Sequence, residues 1–374
     1  MIKENEFEFE EEQQSAVSKE EDDIKSPFDP KEIKIAVEPK TIDALVARIK
    51  NDEIDMFTEF QRKGNLWPAD TQSRLIESLL LRFPLPAFYF DASDDDKWKV
   101  VDGLQRLWTF KNFINDKSQT RLRLTGLEIL KDKEYSNADY DMLNRKMQRR
   151  ILETQVTTYL IQPGTPKKVK YNIFRRINTG GLSLTSQEIR HALNQGRPAS
   201  FIQRISESVK FQEYFKLPNK RMQDRELILR YVAYMLNGYD KYEKPLNTFL
   251  DTAMEDIDKK TTEELNNIEY NLYIAFELSE KLFGQHMYSR SIVSSQHKKK
   301  LNSALFEVWT SVLAKLNSQQ GILLVSNKEN LLSDYRALFA NDRFNNSISF
   351  STSDKSSVKE RFEQINNLVK KYIK

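Results

Sequence analysis

Val100-Val101-Asp102-Gly103-Leu104-Gln105-Arg106 gathers in seven positions the residue types a phosphate site needs. Val-Val sets a strand, and Gly103 permits the tight turn or positive φ that lets backbone approach a ligand. A helix starting behind it would present unpaired N–H groups at the positive end of its dipole, where anions bind. Arg106 adds a planar, permanently charged fork suited to phosphate oxygens. Asp102 would coordinate Mg²⁺ or orient a water. The same residues also make an ordinary Asp-Gly turn with Arg106 exposed in the first helical turn, and spacing does not choose between the two.

Two further stretches invite similar chemistry. Phe60-Gln61-Arg62 ahead of Trp67-Pro68 sets an amide and a guanidinium beside aromatic rings. That suits a base or phosphate held by cation–π and fork contacts; Trp67 as a core anchor with Arg62 lying over it fits as well. Further on, Arg175-Arg176-Ile177-Asn178-Thr179-Gly180-Gly181 leads through Thr185 into Ser186-Gln187-Glu188-Ile189-Arg190. Asn178 and the glycine pair end one helix, and Thr185 or Ser186 caps the next with Glu188 in its first turn. Glycines beside two arginines would also admit a phosphate. His191 has no second ligand at metal spacing, and Lys167-Lys168-Lys170 and Lys298-Lys299-Lys300 read as solvated charge. There is no GxxxxGK[ST], GxSxG or HExxH, so nucleotide chemistry would need a site other than a P-loop.

The elements that must hold these residues follow from periodicity. A strand is expected at 33–37, then a helix from the cap Thr41 through Ile42, Leu45, Val46 and Ile49. A second helix covers 71–82 and stops before Pro84 and Pro86. Strands at 87–90 and 98–101 flank the turn Asp91–Lys97, and a helix follows Gly103 carrying Leu107, Trp108, Phe110 and Phe113. Residues 121–130 would add strands, and Val156–Ile161 is a β run closed by Pro163-Gly164. Helices are expected beyond it at 169–177, 186–195, 200–209, 224–236, 261–282, 298–317 and 358–373. The fold class is therefore α+β: an acidic disordered tail over 1–26, an α/β domain over 27–165 and a helical domain over 166–374.

Composition narrows the class. The absence of cysteine excludes disulfides, thiolate zinc and cysteine nucleophiles, and three histidines (His191, His286, His297) leave little for a metal centre. No apolar run reaches the ~20 residues of a membrane helix. The opening MIKENEFEFEEE is acidic where a secretory signal is basic and then apolar; a cytoplasmic protein with no membrane partner is expected. Of 58 basic and 55 acidic residues, positions 1–23 hold two and ten, which leaves 56 and 45, a body near +11. Such a body suits nucleic acid or nucleotide phosphates.

Taken in order, Phe60-Gln61-Arg62 to Trp67, Leu75-Ile76-Glu77-Ser78-Leu79-Leu80-Leu81 to Pro84-Leu85-Pro86, Val101-Asp102-Gly103-Leu104-Gln105-Arg106 and Arg176-Ile177-Asn178-Thr179-Gly180-Gly181 resemble the GmrSD-type N-terminal domain. This family of the ParB/sulfiredoxin-like superfamily is named for modification-dependent restriction systems, and its hallmark is an Asp-Gly-Gln-Gln-Arg loop. The segment Phe344–Ser349 through Arg361-Phe362 resembles the end of its stand-alone members.

The resemblance implies a ParB/sulfiredoxin-like domain with a nucleotide site, followed by a helical region. It implies a nucleoside triphosphate as ligand or substrate, Mg²⁺ at Asp102, and a role as sensor or regulator in prokaryotic defence against foreign DNA such as phage. By position, Asp102, Gln105 and Arg106 would carry the hydrolytic chemistry, with Gln61, Arg62, Gly103, Arg106 and Asn178 binding the nucleotide. Leu104 stands where the family has its first loop glutamine. No HNH signature is present, so cutting DNA would fall to a partner nuclease. A non-catalytic DNA-binding or scaffold protein is the alternative.

Overall fold

A computed structural model of the chain describes residues 8–10, 30–56, 67–115, 121–131, 135–177, 185–215, 221–243, 245–293 and 299–373. They form two compact units, Met1–Pro27 with Ser186–Lys374, and Phe28–Thr185. The first begins with the short strand β1 (Glu8–Phe9). The second is built on five strands, β2 (Ile35–Thr41), β3 (Ile54–Asp55), β4 (Phe88–Asp91), β5 (Trp98–Asp102) and β6 (Gln155–Ile161), in the order β2-β6-β4-β5-β3. The β2–β6 and β4–β5 pairs are antiparallel, while β6–β4 and β5–β3 are parallel.

Local signals account for the first elements. Thr41 closes β2 and caps α1 (Ile42–Lys50), its Oγ1 accepting from the Ala44 N–H at 3.2 Å. Ile42, Leu45, Val46 and Ile49 are buried as their spacing predicts. Next comes α2 (Ala69–Leu80). The β4–β5 hairpin forms around 91–97 with one irregularity: Tyr89 faces Asp102 while Phe90 faces Val100, so Val101 is the extra residue of a bulge. Phe88, Phe90, Trp98, Val100, Val156 and Leu160 join a core with α1, α2 and α3 (Leu104–Phe110), and α3 continues into a π-helical stretch at Lys111–Asn115.

Three features of this unit depart from expectation. Residues 121–131 form no strand. Leu122 and Leu124 are buried, but the neighbouring backbone N–H groups find side-chain acceptors on α2: Thr125 donates to Ser73 Oγ at 3.0 Å, and Glu128, Ile129 and Leu130 donate to the Glu77 carboxylate at 3.1, 2.7 and 2.7 Å. A helix unforeseen in the sequence, α4 (Arg145–Leu152), lies along α2. The expected border at 165 lies inside a unit, because α5 (Lys167–Ile177) runs against β5 on the sheet's second face. Val101, Ile161, Val169 and Phe174 are buried there, and Lys170 pairs with Asp91 at 2.9 Å.

The other unit is helical: α6 (Ser186–Leu193), α7 (Arg197–Ser206), α8 (Val209–Tyr214), α9 (Gln223–Asn237), α10 (Leu246–Lys259), α11 (Thr262–Phe283), α12 (Ser303–Leu313), α13 (Ser318–Ser326), α14 (Lys328–Leu338), α15 (Asp342–Ser349) and α16 (Lys355–Tyr372). Every residue of α12 from Ala304 to Leu313 is buried. Glu307 within it is satisfied by Arg361 on α16 and by Arg230 on α9, the latter at 3.4 Å. The helix expected at 298–317 starts at Ser303, because Asn302 caps it and Lys300–Leu301, strand β7, pairs in parallel with β1. Part of the stretch read as a solvated acidic tail is thus a strand.

Candidate functional site

The Asp-Gly loop joins strand to helix as its spacing predicts, with Asp102 the last residue of β5 and Leu104 the first of α3. Gly103 has φ +103°, and a Cβ there would lie 2.9 Å from Phe88 Cε1. Glycine is therefore fixed twice, by backbone conformation and by the ring packed on its Cα. The missing side chain makes room for Phe88.

Arg106 is 7% exposed. Its guanidinium lies 4.3 Å over the Phe88 ring and donates to the carbonyls of Pro86 and Ala87, the second at 3.0 Å, and to Asp102 Oδ2 at 2.8 Å. The Pro-Leu-Pro segment leading into β4 is thereby tied to the loop. Burial lowers the guanidinium's pKa against the opposing pull of Asp102, but arginine remains a cation at neutral pH. It is a buried strut rather than an exposed first-turn residue.

Asp102 keeps a third of its side chain exposed, and among the described residues Arg106 alone donates to its carboxylate. Across the bulge stands Tyr89, whose ring stacks on Tyr159 of β6 at 4.6 Å. Desolvation, Tyr159 and the Asp102 charge raise the Tyr89 phenol's pKa, and Arg106 opposes them. Sequence reasoning missed this tyrosine. Its signal was the alternation Phe88-Tyr89-Phe90, which turns Tyr89 away from the core; the bulge that sets it opposite Asp102 leaves no mark in the sequence.

Gln105 Oε1 accepts from the Trp67 backbone N–H at 3.3 Å, and Gln72 Nε2 donates to the Trp67 carbonyl at 2.8 Å. The chain just after the Gln61–Arg62 pair is so tethered to the start of α3. Gln61, Arg62 and Asn178 themselves, with the Gly180-Gly181 pair, lie outside the described residues. Leu104 is 5% exposed and belongs to the core cluster. His191 is buried on α6, its ring nitrogens 3.3 Å from Arg225 Nη1. Among the described residues no three His, Asp or Glu side chains cluster to hold a metal, and no helix is long and apolar enough to cross a membrane.

Residues 42–195 match the family described as GmrSD restriction endonuclease, N-terminal domain. No curated protein and no solved structure matches the chain.

Proposed function

We propose, because residues 42–195 match the GmrSD-type N-terminal domain, that the chain binds a nucleoside triphosphate at the Asp102–Arg106 loop, hydrolyses it, and serves as the sensor or regulator of a restriction-like DNA-defence system. The observation that carries this reading is the Asp102 carboxylate: partly exposed at a strand end, with Oδ2 fixed by a buried Arg106 that is itself anchored on two backbone carbonyls.

In this reading Asp102 Oδ1 orients the attacking water, and Oδ2 stays with Arg106. Asp102, which belongs to no cluster of three or more metal-ligating side chains among the described residues, would hold Mg²⁺ together with substrate phosphates rather than in a protein-only cage, and the ion would supply positive charge to the triphosphate. The N–H groups at the start of α3 follow Asp102 closely in the chain and would meet developing negative charge. Arg106, whose hydrogen bonds among the described residues all go to protein acceptors, acts as a positioning residue. Gln105 steadies the loop through Trp67, while Gln61, Arg62 and Asn178 supply further nucleotide contacts.

Phosphate release is measured with Mg²⁺ and each of ATP, GTP, CTP and UTP, with and without duplex DNA, beside Asp102→Asn. Release that the variant loses supports the site. Release unchanged in the variant, or none with any of the four from folded protein, overturns it.

A second reading, DNA binding without catalysis, is favoured by α4. Its eight residues hold Arg145, Lys146, Arg149 and Arg150 and no acid, and the first three are exposed without an acidic partner among the described residues. Duplex affinity that falls steeply with salt, drops on Arg145→Glu with Arg149→Glu, and ignores Asp102→Asn would select it.

A further inference from the structure

The strand β1 sits on the helical unit in a manner that reads side chains as well as backbone. Glu8 and Phe9 pair in parallel with Lys300 and Leu301, and the Glu10 N–H donates to the Leu301 carbonyl at 2.9 Å. Phe9 packs, partly buried, against the helical core. Glu10 is gripped at both oxygens, Oε1 by Arg290 Nη1 at 3.2 Å and Oε2 by Asn302 Nδ2 at 2.9 Å.

Both gripping groups are held independently of Glu10. Arg290 Nη2 donates to Asn345 Oδ1 at 3.1 Å. Asn302 caps α12 through the Leu305 N–H at 2.9 Å and donates to the Ile348 carbonyl at 2.7 Å. Elements of the helical unit thus fix the receptor side. From these contacts we infer that β7, Arg290 and Asn302 form a docking site for an extended peptide bearing an aromatic residue followed by an acidic one, and that Phe9-Glu10 is its resident and exchangeable occupant.

Two observations favour exchange over permanent attachment. Among the described residues the anchorage is short: two residues of strand pairing, one further backbone bond from Glu10, a partly buried Phe9, the Asn302 bond, and an ion pair whose partners are each 26% exposed, a class of contact that contributes little alone. Such a segment stays docked because its tether keeps its effective concentration high, and a competing peptide meets only that barrier. The sequence also offers the same dipeptide twice, Phe7-Glu8 and Phe9-Glu10. A slip of two residues preserves which side every side chain faces, so the pattern can refill its own site. Backbone pairing supplies affinity for any extended peptide, and the phenyl contact and carboxylate grip supply the choice.

The test uses the full chain with its own occupant silenced by Phe7→Ala, Glu8→Ala, Phe9→Ala and Glu10→Ala, and a fluorescent peptide copying residues 5–12. The peptide is expected to bind this variant at least 10-fold more tightly than the unaltered chain, and adding Arg290→Ala should weaken it at least 10-fold. A folded variant that binds no peptide, or binds it equally without Arg290, overturns the inference. Should the variant fail to fold, hydrogen exchange on the unaltered chain decides. Saturating peptide must remove protection from the Glu10 amide, and unchanged protection overturns the inference.

Discussion

Arg106 Nη2 reaches Asp102 Oδ2 across 2.8 Å, one helical turn back along the chain, and the same nitrogen also donates to Ala87. The arginine of the loop is thereby committed to holding the acid in place.

Arg106→Ala should then destabilise the domain, whatever it does to nucleotides. It strips the Pro86 and Ala87 carbonyls and Asp102 of their donor. A loss of about 2–3 kcal/mol is expected from breaking a buried charge-assisted network, read as a lower urea midpoint at unchanged slope. Arg106→Lys should recover only part, since one ammonium cannot span three acceptors in the fork's geometry. Stability within about 0.5 kcal/mol of the unaltered chain would contradict the strut.

Gly103→Ala should cost about 2–4 kcal/mol, combining left-handed strain with overpacking against the Phe88 ring. Phe88→Leu in the same chain should return the packing part and leave the strain. The two changes are therefore predicted to be less harmful together than their separate losses added; strict additivity in thermal melts would sink this account.

Glu77 makes acid stability predictable in sign. Burial pushes its pKa up, but the backbone N–H groups of Leu130, Glu128 and Ile129, with Arg74 nearby, outweigh that and leave it below the usual 4.5. A depressed folded value stabilises above the unfolded pKa, and that stability drains away as pH falls through the folded one. Glu77→Gln should cost about 1–2 kcal/mol at neutral pH and flatten the limb below about pH 4.5. Parallel pH–stability curves for the two proteins would refute it.

Leu104→Gln brings in the residue of the Asp-Gly-Gln-Gln-Arg loop that the chain resembles, and is expected to harm. The side chain lies in the core with Leu107 and Phe110, so a glutamine would bury an unpaired amide at about 2–3 kcal/mol. Phosphate release per folded molecule should not rise. A gain in release would mean that the position faces the nucleotide.

What the sequence made legible was local. Thr41 followed by Ile42, Leu45, Val46 and Ile49 announces a capped helix, and two β runs around Asp91–Lys97 announce a hairpin, because cap, period and turn all lie within a dozen residues. Illegible were features set by distant partners. Nothing near Arg106 points to carbonyls some twenty positions earlier, nor does Leu122 with Leu124 betray that its neighbours' N–H groups serve Ser73 and Glu77 instead of a strand. In α4 four cations conceal three apolar residues, Met147, Ile151 and Leu152, of which Ile151 alone is fully buried. The Asp-Gly loop was placed correctly as a strand-to-helix joint, yet the burial of its arginine and the tyrosine across from its aspartate depended on a bulge.

Among the described residues the strand order leaves β2 outermost, paired on one side by β6. An open edge of seven residues invites another chain to add itself, the route by which sheets aggregate. Here that edge carries Pro39, which has no N–H to offer, flanked by Glu38 and Lys40, which pair with each other at 2.7 Å. That edge is thereby blunted against adding a further strand, one of the ways sheet proteins avoid growing into a fibre.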